Sequence, residues 1–245
     1  RDVAPSRGLG DVYKRQFQGY AKGQYFIDPL KLQLMTPGIH METGEYEDFG
    51  IPTIILADYL RDCQIIPEKC DLNDILFLMT PAESKTKLDN LITKLIRFEA
   101  HIDNDSPMEM VLPTVYRKYQ SRYERYTIRQ LCQELHDFYK AKKINVLQKK
   151  MFLKAYFPEY FMSPQKANWA LVRGQGELIP LDEAEGRVAL QAAVPYPPGV
   201  TCVQPGERWT RIALDYFLDF AETADILPGL SLIHISEPTR RSYIS

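Results

Sequence analysis

Glu68 stands in the run Ile65-Ile66-Pro67-Glu68-Lys69-Cys70, a strand-like segment between a helix and a second strand. A carboxylate there can form a charge-assisted hydrogen bond with an ammonium, worth roughly 1.5–3 kcal/mol. On the residues alone the ammonium at hand is that of Lys69, and Glu68 reads as a strand-edge surface residue. Tyr196, within Pro195-Tyr196-Pro197-Pro198-Gly199, is held between prolines. It loses little freedom on docking and offers both an aromatic face and a hydroxyl; the alternative is a rigid turn that packs the fold together.

Other chemistry-bearing residues are isolated. His40, His101 and His136 have no neighbours at ligand spacing, and residues of this kind more often fill a surface or core. Cys63, Cys70, Cys132 and Cys202 form no CxxC pair, which argues against a zinc site or a disulfide framework. Gly174-Gln175-Gly176 lacks the third glycine and the preceding strand of a dinucleotide-binding turn. The lysines from Lys142 to Lys150 read as a solvated helix face.

The elements that must position Glu68 are short. Tyr25–Met35 is strand-like, with Leu30, Leu32 and Leu34 alternating against Lys31 and Gln33. After the break at Thr36-Pro37-Gly38, a helix is predicted from about Pro52 to Asp62, with Ile54, Ile55, Tyr59 and Leu60 on its buried side. Thr36, Gly38, Asp48 and Gly50 are read as turn residues. Strands are predicted over Ile65–Lys69 and Ile75–Thr80, the second apolar throughout and so expected to be covered on both faces. Ser84 is expected to cap a helix whose stripe is Leu88, Leu91, Leu95 and Phe98, widened by Ile92 and Ile96.

Asp103–Met108 is a polar break and a candidate domain boundary. Beyond it, Thr127 is expected to cap a helix bearing Ile128, Leu131, Cys132, Leu135 and Phe138. A Lys-rich helical stretch, about Ala141–Tyr156, follows. Ala184–Pro205 reads as short strands and proline-rich turns, and Arg208–Ala224 as a closing helix. The fold class is α/β shading into α+β, a small sheet covered by helices.

Composition limits the function classes. The chain has 245 residues, 45% of them hydrophobic and 25% charged, with a net charge of −2. That balance gives no electrostatic case for nucleic acid or an anionic membrane. No apolar run spans a bilayer, and the expected location is the cytoplasm.

Both ends look foreign. Ser6–Gln16 reads SRGLGDVYKRQ and Leu230–Arg240 reads LSLIHISEPTR. One DNA string that encodes the first peptide encodes the second on its complementary strand. Residues 1–16 and 230–245 are therefore set apart as translated sequence of a transposase-type adaptor. The natural part is expected to run from near Phe17 to near Gly229 and to be a fragment, with an α/β unit over 17–108 and a second domain over 109–229.

Four ordered blocks carry a resemblance: TPGIHMETGEYEDFGIP from Thr36, IIPEKCDLNDILFLMTPAE from Ile65, YTIRQLCQELHDFYK from Tyr126, and PYPPGVTCVQPGE from Pro195. Together they resemble the C-terminal part of the bacterial, inducible-type ornithine/lysine/arginine decarboxylases, over nearly all of Phe17–Gly229. The IPEKCDLN and TPAE wording is closer to the ornithine branch.

The resemblance implies the small C-terminal part of an aminotransferase-like fold followed by the family's own C-terminal domain. It also implies pyridoxal phosphate as cofactor and electron sink for the decarboxylation, ornithine as substrate, and a homodimer or higher oligomer with active sites at the subunit interface. It assigns Glu68 to the distal ammonium of the substrate and places Tyr196 near the active-site entrance. Glu185, Gly186, Arg187 and Glu207 match the family pattern without an assigned role. The family's Schiff-base lysine follows a histidine. Here His40, His101, His136 and His234 precede Met41, Ile102, Asp137 and Ile235, so that lysine is absent and the isolated chain is expected to be inactive. Lysine or arginine decarboxylase is the alternative within the class, and a non-catalytic, antizyme-like binding relative the alternative outside it.

Overall fold

A computed structural model describes residues 28–195 and 199–230, together with the backbone of 241–244. The two foreign-looking runs lie outside these residues except for Leu230, and so does Tyr196.

The first sheet has the order β1-β3-β2, all antiparallel, with β1 at Lys31–Met35, β2 at Lys69–Cys70 and β3 at Asp74–Leu78. Leu32 pairs with Phe77 and Leu34 with Ile75, which puts these residues on the inner face. Ile75 and Phe77 are buried. The outer face pairs Lys31 with Leu78 and Gln33 with Leu76. The expectation that the second apolar strand is covered on both faces is therefore corrected: Leu78 is 43% exposed, because helices of the described residues pack on the inner face only. The strand predicted over Ile65–Lys69 is also corrected. It shrinks to Lys69–Cys70, and Glu68 sits in the bend just before it.

Helix α1, Thr53–Asp62, runs across the inner face with every side chain from Thr53 to Leu60 buried. Its first turn is held from outside: the Thr53 amide donates to the Leu72 carbonyl at 3.0 Å, and the Thr53 hydroxyl to the Asp71 carbonyl. Helix α2, Lys85–Asp103, starts where expected, with Ser84 Oγ accepting from the Lys87 amide. Its stripe is narrower than the sequence suggests. Leu91 and Phe98 are buried, but Ile92 and Ile96 are 53% and 60% exposed, since the helix meets its neighbours along one edge.

At 103–108 the chain turns at the surface, with Asp103, Asn104 and Asp105 exposed, and re-enters the core at once. His101 Nδ1 lies 2.9 Å from Ser106 Oγ, and Met108 is fully buried. Three short helices follow, α3 Met108–Val111, α4 Pro113–Lys118 and α5 Gln120–Tyr123, none marked by the sequence pattern. Helix α6, Ile128–Lys142, has the full capping box between Thr127 and Gln130.

The single Lys-rich helix expected over Ala141–Tyr156 is broken. Lys143 is left-handed at φ 53°, which ends α6 and starts α7, Ile144–Met151. After α8, Pro164–Val172, a second antiparallel sheet has the order β4-β6-β5, from Glu177–Ile179, Arg241–Ile244 and Val188–Ala189. Helix α9, Arg211–Ile226, is capped by Thr210 and closes the inner layer. One hydrophobic core joins Ile55 and Leu60 of α1, Ile75 of β3, Leu131 and Leu135 of α6, and Phe217 of α9.

Candidate functional site

Strands β2 and β3 form a tight hairpin, and the site is built on it. Cys70 pairs with Ile75, and the Asp71 amide donates to the Asp74 carbonyl at 2.8 Å, leaving Leu72 and Asn73 at the tip. Aspartate and asparagine favour such tips because their side chains bond to nearby backbone. Asp71 Oδ1 accepts from the Leu72 amide at 2.8 Å, and Asn73 Nδ2 donates to the Pro37 carbonyl at 3.0 Å. The hairpin is thereby pinned to the turn that follows β1.

The turns on that side are shaped by Gly38 and Gly50. A Cβ on Gly50 would run into the His136 ring, and one on Gly38 would meet Gly50 Cα at 2.7 Å. His136 is fully buried, and its Nε2–H donates to the Glu47 carbonyl at 2.8 Å. Both glycines and His136 thus serve the fold.

Glu68 lies at the mouth of the hairpin. Its amide donates to the Leu76 carbonyl at 2.9 Å, fixing the backbone, while its side chain is exposed. Among the described residues no hydrogen bond or ion pair reaches the Glu68 carboxylate, so the surface pair with Lys69 is not formed. Gln64, Ile66, Leu78 and Leu88 line an open groove of about 400 Å³, with a Glu83–Lys87 ion pair of 3.1 Å at its rim; Ile66, two residues before Glu68, is on its wall, and Glu68 itself is not. An exposed carboxylate without a partner among the described residues can receive an ammonium. Cys70, two residues on, is no competing nucleophile, because burial pushes its thiol up to about 12.

Asp71, three residues after Glu68, is set differently. Gln148 of α7 donates to Asp71 Oδ1 at 2.6 Å. Burial raises the Asp71 pKa above the usual carboxylate value, and the nearby Asp74 adds to the rise. The hydrogen bonds from Gln148 and the Leu72 amide oppose it. Asp71 and Gln148 line a cavity of about 250 Å³ together with Tyr216, Cys202 and Pro195. The sequence reading missed both residues. Asp71 could have been found from the turn composition of Asp71-Leu72-Asn73-Asp74, whereas nothing in the sequence marks Gln148.

Pro195, the residue before Tyr196, is on the wall of this second cavity and not of the groove beside Glu68. The described residues therefore bring Pro195 and Val200 to the cavity of Asp71. Arg187 pairs with Glu177, Arg208 Nη1 donates to the Gly186 carbonyl at 2.8 Å, and Glu185 faces Arg211 at 3.7 Å. These residues, with Glu207 accepting from the Gln204 amide at 2.7 Å, hold the C-terminal fold together.

Pyridoxal phosphate does not fit the residues present. No His-Lys pair occurs in the sequence. Of the lysines at the two cavities, Lys87 is committed to Glu83 and Lys149 borders the Asp71 cavity. Among the described residues no cluster of histidine, cysteine or carboxylate could hold a metal ion.

Two family models match, the Orn/Lys/Arg decarboxylase major domain over residues 10–87 and the Orn/Lys/Arg decarboxylase C-terminal domain over residues 145–234. The chain belongs to the Orn/Lys/Arg decarboxylase family. It is 55% identical over 216 residues to the ornithine decarboxylase of Haemophilus influenzae and 56% identical over 215 residues to the constitutive ornithine decarboxylase of Escherichia coli. Each match covers 88% of this chain and 30% of the relative, so the chain spans about a third of the length of these proteins. Lysine decarboxylases of Pseudomonas aeruginosa and Escherichia coli are 31–34% identical. The fold matches lysine decarboxylase A from Pseudomonas aeruginosa with a TM-score of 0.82 at 32% identity, over 89% of this chain and 30% of that one. No helix among the described residues is long and apolar enough to cross a membrane.

Proposed function

We propose that this chain is part of a pyridoxal-phosphate-dependent ornithine decarboxylase, which converts ornithine to putrescine and CO2. The observation that carries the proposal is the gap in identity, 51–56% to four ornithine decarboxylases against 31–34% to lysine decarboxylases. The whole protein works in the cytoplasm as a homodimer or higher oligomer, with residues 17–108 and 109–229 as its two C-terminal units. The flanks 1–16 and 230–245 are adaptor-derived.

Bound pyridoxal phosphate would supply the electron sink for loss of CO2, and most of the residues that would hold it belong to the large domain of the parent enzyme. The task of this chain is selection. Glu68 pairs with the distal ammonium of ornithine. Loss of the carboxylate leaves that ammonium without its partner on desolvation, so discrimination between chain lengths suffers. Tyr196 contributes an aromatic face and a hydroxyl at the entrance.

The test is product analysis with the full-length protein that carries these residues. Putrescine from ornithine, with much slower turnover of lysine and arginine, is expected. Cadaverine or agmatine as the main product would reassign the substrate. The purified 245-residue chain is expected neither to decarboxylate ornithine nor to bind the cofactor covalently, as read by its absorption spectrum.

A further inference from the structure

Gln148 is four residues beyond the start of α7, in the C-terminal unit, yet its amide reaches back to the hairpin that carries Glu68. Strand β2 needs such support. It has two residues and lies at the edge of its sheet, paired on one side only, with β3. Its outer side gains no ladder hydrogen bonds, so the bend at Glu68 is fixed by one amide contact to Leu76 and by whatever holds the two ends of the strand. At the far end that anchor is Asp71. Its amide is bonded to Asp74, its carbonyl takes the Thr53 hydroxyl, and its carboxylate takes Gln148 at 2.6 Å and the Leu72 amide at 2.8 Å. Three of these bonds stay within the α/β unit. The fourth crosses 77 residues of sequence to the C-terminal unit.

We propose that Gln148 is a positioning residue for substrate selection. Through Asp71 it holds β2 in register and so sets the place of the Glu68 carboxylate. The inference rests on the reading of Glu68 as the partner of the distal ammonium. It gives the C-terminal unit a part in specificity, exerted through Asp71. A displacement of the carboxylate by a fraction of an ångström is enough to matter, since misplacing a binding group by about 1 Å can cost ~100-fold in rate.

The experiment is steady-state kinetics on the full-length enzyme with ornithine and with lysine. The variants are Glu68→Gln, Gln148→Met, Gln148→Asn, Asp71→Asn and the double variant Glu68→Gln/Gln148→Met. Gln148→Met removes the donor at nearly constant volume and is expected to raise the ornithine KM about 5- to 10-fold with kcat within about twofold, and to narrow the preference for ornithine over lysine. Gln148→Asn, one methylene shorter, replaces it if the methionine variant does not fold. Asp71→Asn keeps the accepting oxygen and is expected to leave KM within about twofold, a rescue that general loss of packing would not give. In the Glu68→Gln background, Gln148→Met should add nothing further to KM.

The outcomes separate the two readings. Unchanged ornithine kinetics in Glu68→Gln would overturn the role of Glu68. A raised KM in Glu68→Gln with unchanged KM in both Gln148 variants would overturn the role of Gln148 alone. Equal KM effects of Gln148→Met with and without the Glu68 carboxylate would also overturn it, because the residue would then act elsewhere.

Discussion

The rim that carries Glu68 and the turn that carries Asp71 are three residues apart on one hairpin, and their surroundings are opposite. The Glu68 carboxylate faces outward with no partner among the described residues. Asp71 is held by Gln148 and by the amide of Leu72. A two-residue strand separates them, so one backbone register serves both. The difference lies in what each carboxylate is left free to do. A carboxylate meant for a ligand must stay uncommitted, and a carboxylate meant to hold the backbone must have its acceptors filled.

The largest expected effect falls on the rim. In the full-length enzyme, Glu68→Gln should lower kcat/KM for ornithine about 10- to 150-fold, the kinetic equivalent of roughly 1.5–3 kcal/mol. Its melting temperature should stay at the wild-type value. A large loss of thermal stability would mean that Glu68 is committed to the fold after all, and the contrast with Asp71 would collapse.

Next comes the buried side. Gly50→Ala pushes a methyl group into the His136 ring behind the turn that Asn73 holds. It should destabilise the protein by about 1–3 kcal/mol, measured by denaturant unfolding. Tolerance of alanine there would show that the 36–51 turns can shift without cost, and the hairpin would lose one of its fixed supports.

Asp71→Asn probes the same side through pH. Burial raises the Asp71 pKa in the folded state above its unfolded value. The stabilising contribution of this group is therefore complete below the ordinary carboxylate pKa, about 3.9, and is lost as pH rises through the folded value. Asparagine carries no such dependence. The variant should melt above the wild type at neutral pH, and the two melting curves should converge as pH falls toward 4. A variant less stable at neutral pH would mean that the ionised carboxylate is the favoured form in the fold.

The smallest effect is expected at Lys69→Ala. Since no Glu68–Lys69 pair forms, ornithine KM should stay within about twofold of wild type. A clear rise in KM would show that Lys69 orients the carboxylate in the working enzyme.

Local signals in this chain were legible. Ser84, Thr127 and the α6 capping box lie where the residue types put them, because a cap depends on four consecutive residues. The stretch from Ala141 to Tyr156 shows the limit: its composition suits one helix, yet Lys143 adopts a left-handed turn so that α7 can pack along α9. Ile92 and Ile96 mislead in the other direction, since an apolar stripe shows what can be buried and not what a neighbour covers. Tyr196 falls outside the described residues, and the structure speaks only of its neighbour Pro195, on the wall of the Asp71 cavity.

By itself the sequence pointed to the family, through four ordered blocks, and it offered Glu68 as a candidate. It also determined that no histidine in the chain is followed by a lysine, since that pair is a matter of adjacency. Only the tertiary structure decided which of the two neighbouring carboxylates has no partner among the described residues. Exposure and hydrogen bonding at Asp71 depend on Gln148, which is 77 residues away along the chain. Spacing along a strand can place two side chains relative to each other, but the partners that fill or spare them arrive from elsewhere in the fold.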